Sequence, residues 1–321
     1  MKILHFCPKA RQIRFFGNIK TQLREHFSDH PDVLINYWKV SEFLRVLGER
    51  TSQLDAVIIS AHGGEDSILK PVSGGAFERA IKLDDAYLFR NKFVFANSCY
   101  AAQKFGPALV ANGAFTFVGF NDSISNAFLS KSGYKENIEK IFKAIYTKSL
   151  SEAFTSFVKQ CLTANEFCER IDFRFRKNLS EVSKMSLSEI NSNFQVNIKE
   201  DNSKVMKIMK LEFIQKFNDL KNKITLIGEG NYIYWDSIKN LSNEQLVDRL
   251  AKLENISEKN KLYKYFIRML IYICLDDKEK CLEEVEKFQL ELERDKKEEE
   301  VFTPPINIEQ EFMEIKRSYA G

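Results

Sequence analysis

Two short apolar runs that stop abruptly at polar residues constrain the fold of this chain more than any other feature. Residues 57–60 (Val-Ile-Ile-Ser) lead through Ala61 to His62 and two glycines, and residues 93–98 (Phe-Val-Phe-Ala-Asn-Ser) lead to Cys99. Continuous apolar runs of this length, bounded by turn residues, are typical of buried parallel strands. Because the carboxyl ends of parallel strands meet at one edge of a sheet, His62 and Cys99 are predicted to lie side by side.

A cysteine beside a histidine has the composition of a nucleophile–base pair. Cys99 is predicted to precede a helix over residues 101–112, whose free N–H groups would stabilise a thiolate. His62 would protonate a leaving amine, because imidazole titrates near neutral pH. The backbone N–H groups of Gly63 and Cys99 would face the developing oxyanion. Each residue also has a structural interpretation: a lone cysteine at a strand end is usually a small buried residue, and His-Gly is usually a turn.

The order of the predicted elements indicates the fold class. Strands alternate with helices up to about Gly133, which predicts an α/β fold with a mainly parallel sheet and helices on both faces. Helix dominates the later sequence, except for a hairpin predicted over residues 224–235. We therefore predict two parts, residues 1–178 around the His62/Cys99 pair and a mostly helical region, residues 179–321.

Composition excludes several classes of protein. Of the 321 residues, 44% are apolar and 29% charged, as in folded globular proteins, and the net charge of +3 is too small to predict a nucleic-acid or membrane partner. The six cysteines contain no Cys-x-x-Cys pair, so we expect neither a metal site nor a disulfide framework. No segment is apolar enough to predict a membrane span or a signal peptide, and we expect a cytoplasmic protein.

The His62-Gly63 and Ser98-Cys99 strand ends resemble the caspase-like (clan CD) cysteine peptidases, nearest to the CHAT, gingipain and metacaspase domains. The resemblance implies a caspase-like three-layer sandwich and an endopeptidase that cleaves a protein substrate with a Cys99–His62 dyad, without metal or organic cofactor. It further implies a regulated bacterial effector, with antiviral defence among the settings in which such proteins act. It extends over residues 1–165 and includes two shorter matches, residues 109–119 and 148–154.

Substrate specificity depends on two candidate residues of the S1 pocket. Several relatives that prefer Lys or Arg at P1 carry Asp two residues before the nucleophile, whereas this chain carries Asn97. Asp122 falls where separase and CHAT proteins place an acidic pocket residue, and a carboxylate there would bind a basic P1 side chain. Its alternative interpretation is a turn residue in Asn-Asp-Ser. Glu65 and Asp66 are the weaker contenders.

Two other functions remain open at the level of the sequence. The first is a non-catalytic caspase-like scaffold whose C-terminal helices bind a partner. The second is a flavodoxin-like binding protein or a cysteine hydrolase of another fold, although no glycine-rich nucleotide motif follows the first strand. In the peptidase interpretation, residues 179–321 are expected to dock on the peptidase part and to regulate it or recruit a protein partner.

Overall fold

The structure, a computed structural model, describes residues 3–9, 13–29, 33–49, 55–124, 135–199 and 203–295. The strands are β1 (Ile3–Phe6), β2 (Leu34–Tyr37), β3 (Ala56–Ser60), β4 (His62–Gly63), β5 (Ile68–Pro71), β6 (Phe77–Ile81), β7 (Phe93–Asn97), β8 (Thr116–Phe120) and β9 (Ile224–Gly228). The α-helices are α1 (Gly17–His26), α2 (Val40–Glu49), α3 (Phe105–Ala111), α4 (Lys135–Lys159), α5 (Ala164–Lys184), α6 (Leu187–Phe194), α7 (Ser203–Lys223), α8 (Asn243–Leu253), α9 (Lys261–Cys274) and α10 (Lys278–Asp295). Short 3-10 helices span Arg14–Phe16, Ser73–Gly75, Leu83–Phe89, Trp235–Asn240 and Glu258–Asn260.

A six-stranded sheet forms the centre of the fold, in the order β2-β1-β3-β7-β8-β9. The first five strands are parallel, and β9 runs antiparallel to β8. The predicted α/β class with a mainly parallel sheet is therefore confirmed. A second, three-stranded antiparallel sheet consists of β4, β5 and β6, and it continues the chain directly from the end of β3.

Helices cover both faces of the central sheet because alternate strand residues point to opposite sides. In β3, Val57 and Ile59 belong to an apolar cluster with residues of α2 and α3. Ile58 belongs to a second, larger cluster with residues of α1, α4 and α5. The continuous apolar run of β3 is thus explained by burial on both faces, as expected for a central parallel strand.

The C-terminal helical region shares this core with the first part of the chain. The ring of Tyr232 stacks on Phe93 and Phe115 at centroid distances of 5.7 and 5.6 Å. The Tyr263 hydroxyl donates to the Ile233 carbonyl at 2.7 Å and accepts from its N–H at 2.8 Å. The larger cluster contains residues from both predicted parts, and the predicted division between residues 178 and 179 falls inside α5.

The hairpin predicted over residues 224–235 does not form. Its first arm is β9, which pairs with β8 instead of with residues 232–235. This pairing covers the edge of the main sheet that β8 would otherwise expose. Gly228 turns the chain away with a φ of 91°, and an added Cβ there would lie 2.5 Å from the Phe115 carbonyl oxygen. Ile233 then forms an isolated bridge to Thr163.

A chain that ends after residue 178 is expected not to fold cooperatively, because it loses β9 and the ring of Tyr232 that stacks on Phe93 and Phe115. Urea unfolding followed by near-ultraviolet circular dichroism tests this, with the full chain expected to show one transition. In the full chain, Tyr263→Phe is a milder test and should lower the free energy of unfolding by about 1–3 kcal/mol. A cooperative transition in the shortened chain would show that residues 1–178 fold independently.

Candidate active site

The pairing of β3 with β7 brings His62 and Cys99 to the same edge of the sheet. The last register pair joins Ser60 to Asn97, and the Ala61 N–H donates to the Asn97 carbonyl at 3.4 Å. One residue further, the Ser98 hydroxyl donates to the Ala61 carbonyl at 2.9 Å. The backbone segments that follow β3 and β7 therefore remain hydrogen-bonded to each other up to the residues that precede His62 and Cys99.

Gly63 allows a close approach between these strand ends. A Cβ on Gly63 would lie 2.2 Å from the Cys99 carbonyl oxygen and 3.0 Å from its nitrogen. Any other residue would therefore force the two backbones apart. The same addition on Gly64 would meet only Ser67 at 3.7 Å, so Gly64 is not under this constraint.

His62 begins β4, where it pairs with Leu69 of β5, and its ring packs 4.3 Å from the Phe77 ring. The side chain is half-buried, and burial lowers the pKa of the imidazole. The ring is therefore neutral at pH 7 and is able to accept a proton. Among the described residues, the buried Nε2 atom has no hydrogen-bond partner.

Cys99 is half-buried, and desolvation raises the pKa of its thiol. The Ile124 N–H donates to Sγ at 3.2 Å, and this contact and the cysteine's own N–H lower the pKa in part. Because the net direction is upward, the group at rest is a thiol and needs a base. No hydrogen bond links His62 to Cys99 in the described part of the chain, and such contacts often tighten only when substrate is bound.

The predicted helix start at residue 101 is wrong, because α3 begins at Phe105. Tyr100 has a φ of 59°, in the left-handed region, and its N–H donates to the Asp122 carbonyl at 3.3 Å. The Ala102 N–H donates to the Phe120 carbonyl at 3.0 Å, so the chain first follows the end of β8. Pro107 then lies in the first turn of α3, where it displaces no helical hydrogen bond. The N-terminus of α3 is therefore not adjacent to Cys99 in the chain, and Ile124 supplies the N–H donor instead.

Asn97, one of the two S1 candidates, is fully buried. Its side-chain oxygen accepts a hydrogen bond from the hydroxyl of Tyr146, a residue of α4. Burial raises the pKa of Tyr146 well above its usual range, so the hydroxyl remains a donor. Within the described ranges, the Asn97 amide nitrogen is buried without a partner. Sequence reasoning did not find Tyr146, since nothing in an apolar helix face distinguishes it from the other buried aromatic residues.

Asp122, the other S1 candidate, lies half-exposed just after β8. Its carboxylate accepts the Ser123 N–H at 2.6 Å and lies 3.3 Å from the Lys223 ammonium. The bond from Ser123 and then the one from Lys223 lower the pKa of Asp122, which stays charged. Part of that charge is already neutralised by Lys223, a residue that could not be identified from the sequence. The weaker contenders are paired with cations: Glu65 lies 2.7 Å from Lys104, and Asp66 lies 2.8 Å from Arg79.

No protein-family model matches the sequence, and no curated protein matches it significantly. In the described ranges, no group of three or more His, Cys, Asp or Glu residues is arranged to hold a metal ion. None of the helices that the structure describes is both long and apolar enough to cross a membrane. The interpretation of the site therefore depends on its residues and their geometry.

Because burial raises the pKa of Cys99, alkylation by iodoacetamide should be slow at pH 7 and should rise with pH. An ordinary cysteine thiol has a pKa of about 8.5, and the pH midpoint of Cys99 alkylation should lie above that value. Peptide-level mass spectrometry separates Cys99 from the other five cysteines, and the exposed Cys274 provides an internal comparison. A midpoint below pH 7 would instead indicate a preformed thiolate–imidazolium pair.

Proposed function

We propose that the chain is a cysteine endopeptidase of the caspase-like group, with Cys99 as nucleophile and His62 as general base and acid. One observation carries the proposal. A half-buried histidine with an unpartnered Nε2 and a half-buried cysteine lie on adjacent strand ends, with Gly63 packed against the Cys99 backbone. The mainly parallel sheet with helices on both faces supports a caspase-like three-layer sandwich.

The resting protonation states determine the order of proton transfers. Since the thiol is protonated and the imidazole neutral, His62 takes the Sγ proton as sulfur bonds to the scissile carbonyl carbon. The carbonyl oxygen becomes an oxyanion, which the N–H groups of Gly63 and Cys99 would stabilise. Cleavage of the C–N bond leaves a thioester, and the proton on His62 goes to the departing amine. His62 then deprotonates water, which attacks the thioester carbon. The C–S bond breaks, the acyl part of the substrate leaves as a carboxylic acid, and the proton on His62 returns to the sulfur.

The substrate in this proposal is a protein, bound without metal or organic cofactor. Asp122 contributes to the S1 pocket, whereas the other candidate, Asn97, is buried beneath it and held by Tyr146. All six cysteines are unpaired thiols, which supports a reducing compartment such as the bacterial cytoplasm. A regulated effector, with antiviral defence as one setting, remains the role that the resemblance suggests. Leu211 and Ile214 lie three residues apart on α7 and are about half exposed, which supports a regulatory partner on the C-terminal region.

A non-catalytic scaffold is the second candidate, and one observation favours it. No hydrogen bond joins the neutral thiol to the neutral imidazole within the described chain. Such a missing bond is what a site that has lost its catalytic role would show. In that case the sheet would act as a platform and the C-terminal helices would bind a partner.

Cys99→Ala and His62→Ala should each reduce peptide cleavage by about 1,000-fold or more, because each removes a required step. Cleavage of a fluorogenic peptide library by the purified chain provides the measurement. Cys274→Ala and His26→Ala are matched controls that remove an exposed cysteine and another histidine, and they should leave turnover unchanged. Near-normal turnover in either of the first two variants would reject the dyad, and labelling of Cys99 without any cleavage would favour the scaffold.

If Asp122 binds the P1 side chain, the chain should prefer Lys or Arg at P1. Asp122→Ala should then lower kcat/KM for basic P1 substrates about 10- to 100-fold relative to apolar ones, as expected for a lost charged hydrogen bond. The ratio between substrates in the same variant cancels any general effect on the nucleophile. An acidic or purely apolar preference in the unchanged chain would exclude this pocket.

A further inference from the structure

The C-terminal region reaches the candidate site through Lys223. This residue ends α7 and directly precedes β9, the strand that pairs with β8. Its side chain is only 15% exposed, which is low for a lysine, and it extends along protein instead of into solvent. The position of the ammonium group is therefore determined by its contacts.

Those contacts bind Lys223 to the segment that follows β8, residues 121–124. The Lys223 ammonium donates to the Ser123 carbonyl at 3.2 Å and lies 3.3 Å from the Asp122 carboxylate. Asp219, one turn earlier on α7, lies 2.7 Å from the same ammonium. The Lys223 carbonyl in turn accepts the Asn121 N–H at 2.9 Å. Both the main chain and the side chain of one residue thus fix this segment.

The same segment contacts the nucleophile. The Ile124 N–H donates to Cys99 Sγ at 3.2 Å, and the Asp122 carbonyl accepts the Tyr100 N–H at 3.3 Å. Residues 121–124 are therefore bonded on one side to Lys223 and on the other to Cys99 and its neighbour. The path from α7 to the sulfur atom consists of consecutive hydrogen bonds and one short stretch of backbone.

We propose that Lys223 is a positioning residue that holds residues 121–124 so that the Ile124 N–H stays directed at Cys99 Sγ. The C-terminal region thereby sets the reactivity of the nucleophile. The consequence for catalysis depends on the peptidase function proposed above, whereas the effect on the thiol does not.

The physical reason is that a hydrogen bond donated to sulfur stabilises the thiolate more than the thiol. The Ile124 N–H lowers the pKa of Cys99 and so opposes the larger effect of burial. Of the charged groups around the sulfur, Lys223 acts in the same direction and Asp122 in the opposite one. Tyr146 also lies near the sulfur, and both its hydroxyl and the imidazole of His62 are neutral at pH 7. Partial burial opposes the charged form of Lys223, but its bonds to Asp219 and Asp122 raise its pKa, so it remains a cation.

Two measurements on the full chain test the proposal without any substrate: the pH midpoint of Cys99 alkylation and amide hydrogen exchange in residues 121–124. Lys223→Met removes the ammonium and keeps most of the length of the unbranched side chain, whereas Lys223→Arg keeps a cation. Lys221→Met is the matched control, because Lys221 lies on the same helix end and is paired at 3.2 Å with Asp172 instead of with this segment.

Lys223→Met should raise the alkylation midpoint by roughly one pH unit, slow alkylation at pH 7 about 10-fold and speed amide exchange in residues 121–124. Lys223→Arg should keep both the alkylation midpoint and the amide exchange rate close to those of the unchanged chain, and Lys221→Met should change neither. An unchanged midpoint in Lys223→Met would overturn the proposal. So would a raised midpoint with unchanged amide exchange, because Lys223 would then act through its charge alone.

Asp122→Ala provides a second variant that leaves Lys223 in place, should Lys223→Met fail to fold. Loss of a nearby anion would by itself lower the pKa of the thiol, whereas loosening of the segment raises it. We expect a raised midpoint and faster exchange, and a lowered midpoint would contradict the positioning role. If the chain cleaves peptides, kcat in Lys223→Met should fall with the thiolate fraction. KM for a substrate with an apolar P1 side chain, which does not use Asp122, should stay constant. If the variants show the expected changes in alkylation but the chain cleaves no peptide, the peptidase function is rejected and this inference stands.

Discussion

The pairing of β3 with β7 in the middle of the sheet is the interaction on which the site depends. All ten residues of these strands are buried, and their main-chain groups are satisfied by the ladder they share with each other and with β1 and β8. Burial on both faces makes the register unambiguous, since a shift of one residue would turn every side chain to the opposite face. The position of His62 relative to Cys99 is therefore set by the apolar core before any polar contact is made.

Polar side chains near the carboxyl ends of β1, β2, β3 and β7 form hydrogen bonds beneath the site. The side chain of His5, in β1, bonds to Asn36 at 2.9 Å and to Ser60 at 3.0 Å, while Tyr146 bonds to Asn97. Burial lowers the pKa of His5 to about 4, so the hydrogen-bonded group of His5, Asn36 and Ser60 is uncharged at neutral pH. Buried polar groups are costly unless they are paired, and here most of them are. In the larger core, the residues around the strand centres are apolar, and these polar side chains lie beneath the candidate site.

The sequence was sufficient for features that depend on local pattern. Continuous apolar runs predicted the parallel strands, and their abrupt ends predicted where His62 and Cys99 lie. It was insufficient where distant segments compete for the same contact. The apolar pattern of residues 224–228 suits any strand partner. Only the exposed edge of β8 favours pairing there over a local hairpin. Lys223 and Tyr146 could not be found either, because each reaches the site through tertiary contacts of α7 and α4.

The electrostatics of the pair follow from one cause with two opposite consequences. Burial keeps His62 neutral and therefore basic, but the same burial keeps Cys99 protonated and therefore weakly nucleophilic. A charged thiolate–imidazolium pair would need compensation that burial alone does not provide. The Ile124 N–H supplies part of that compensation to the sulfur without adding a charge. Because this donor belongs to a segment bonded to α7, the stability of the thiolate depends on the C-terminal region as well as on the sheet, even though β3 and β7 already position both residues.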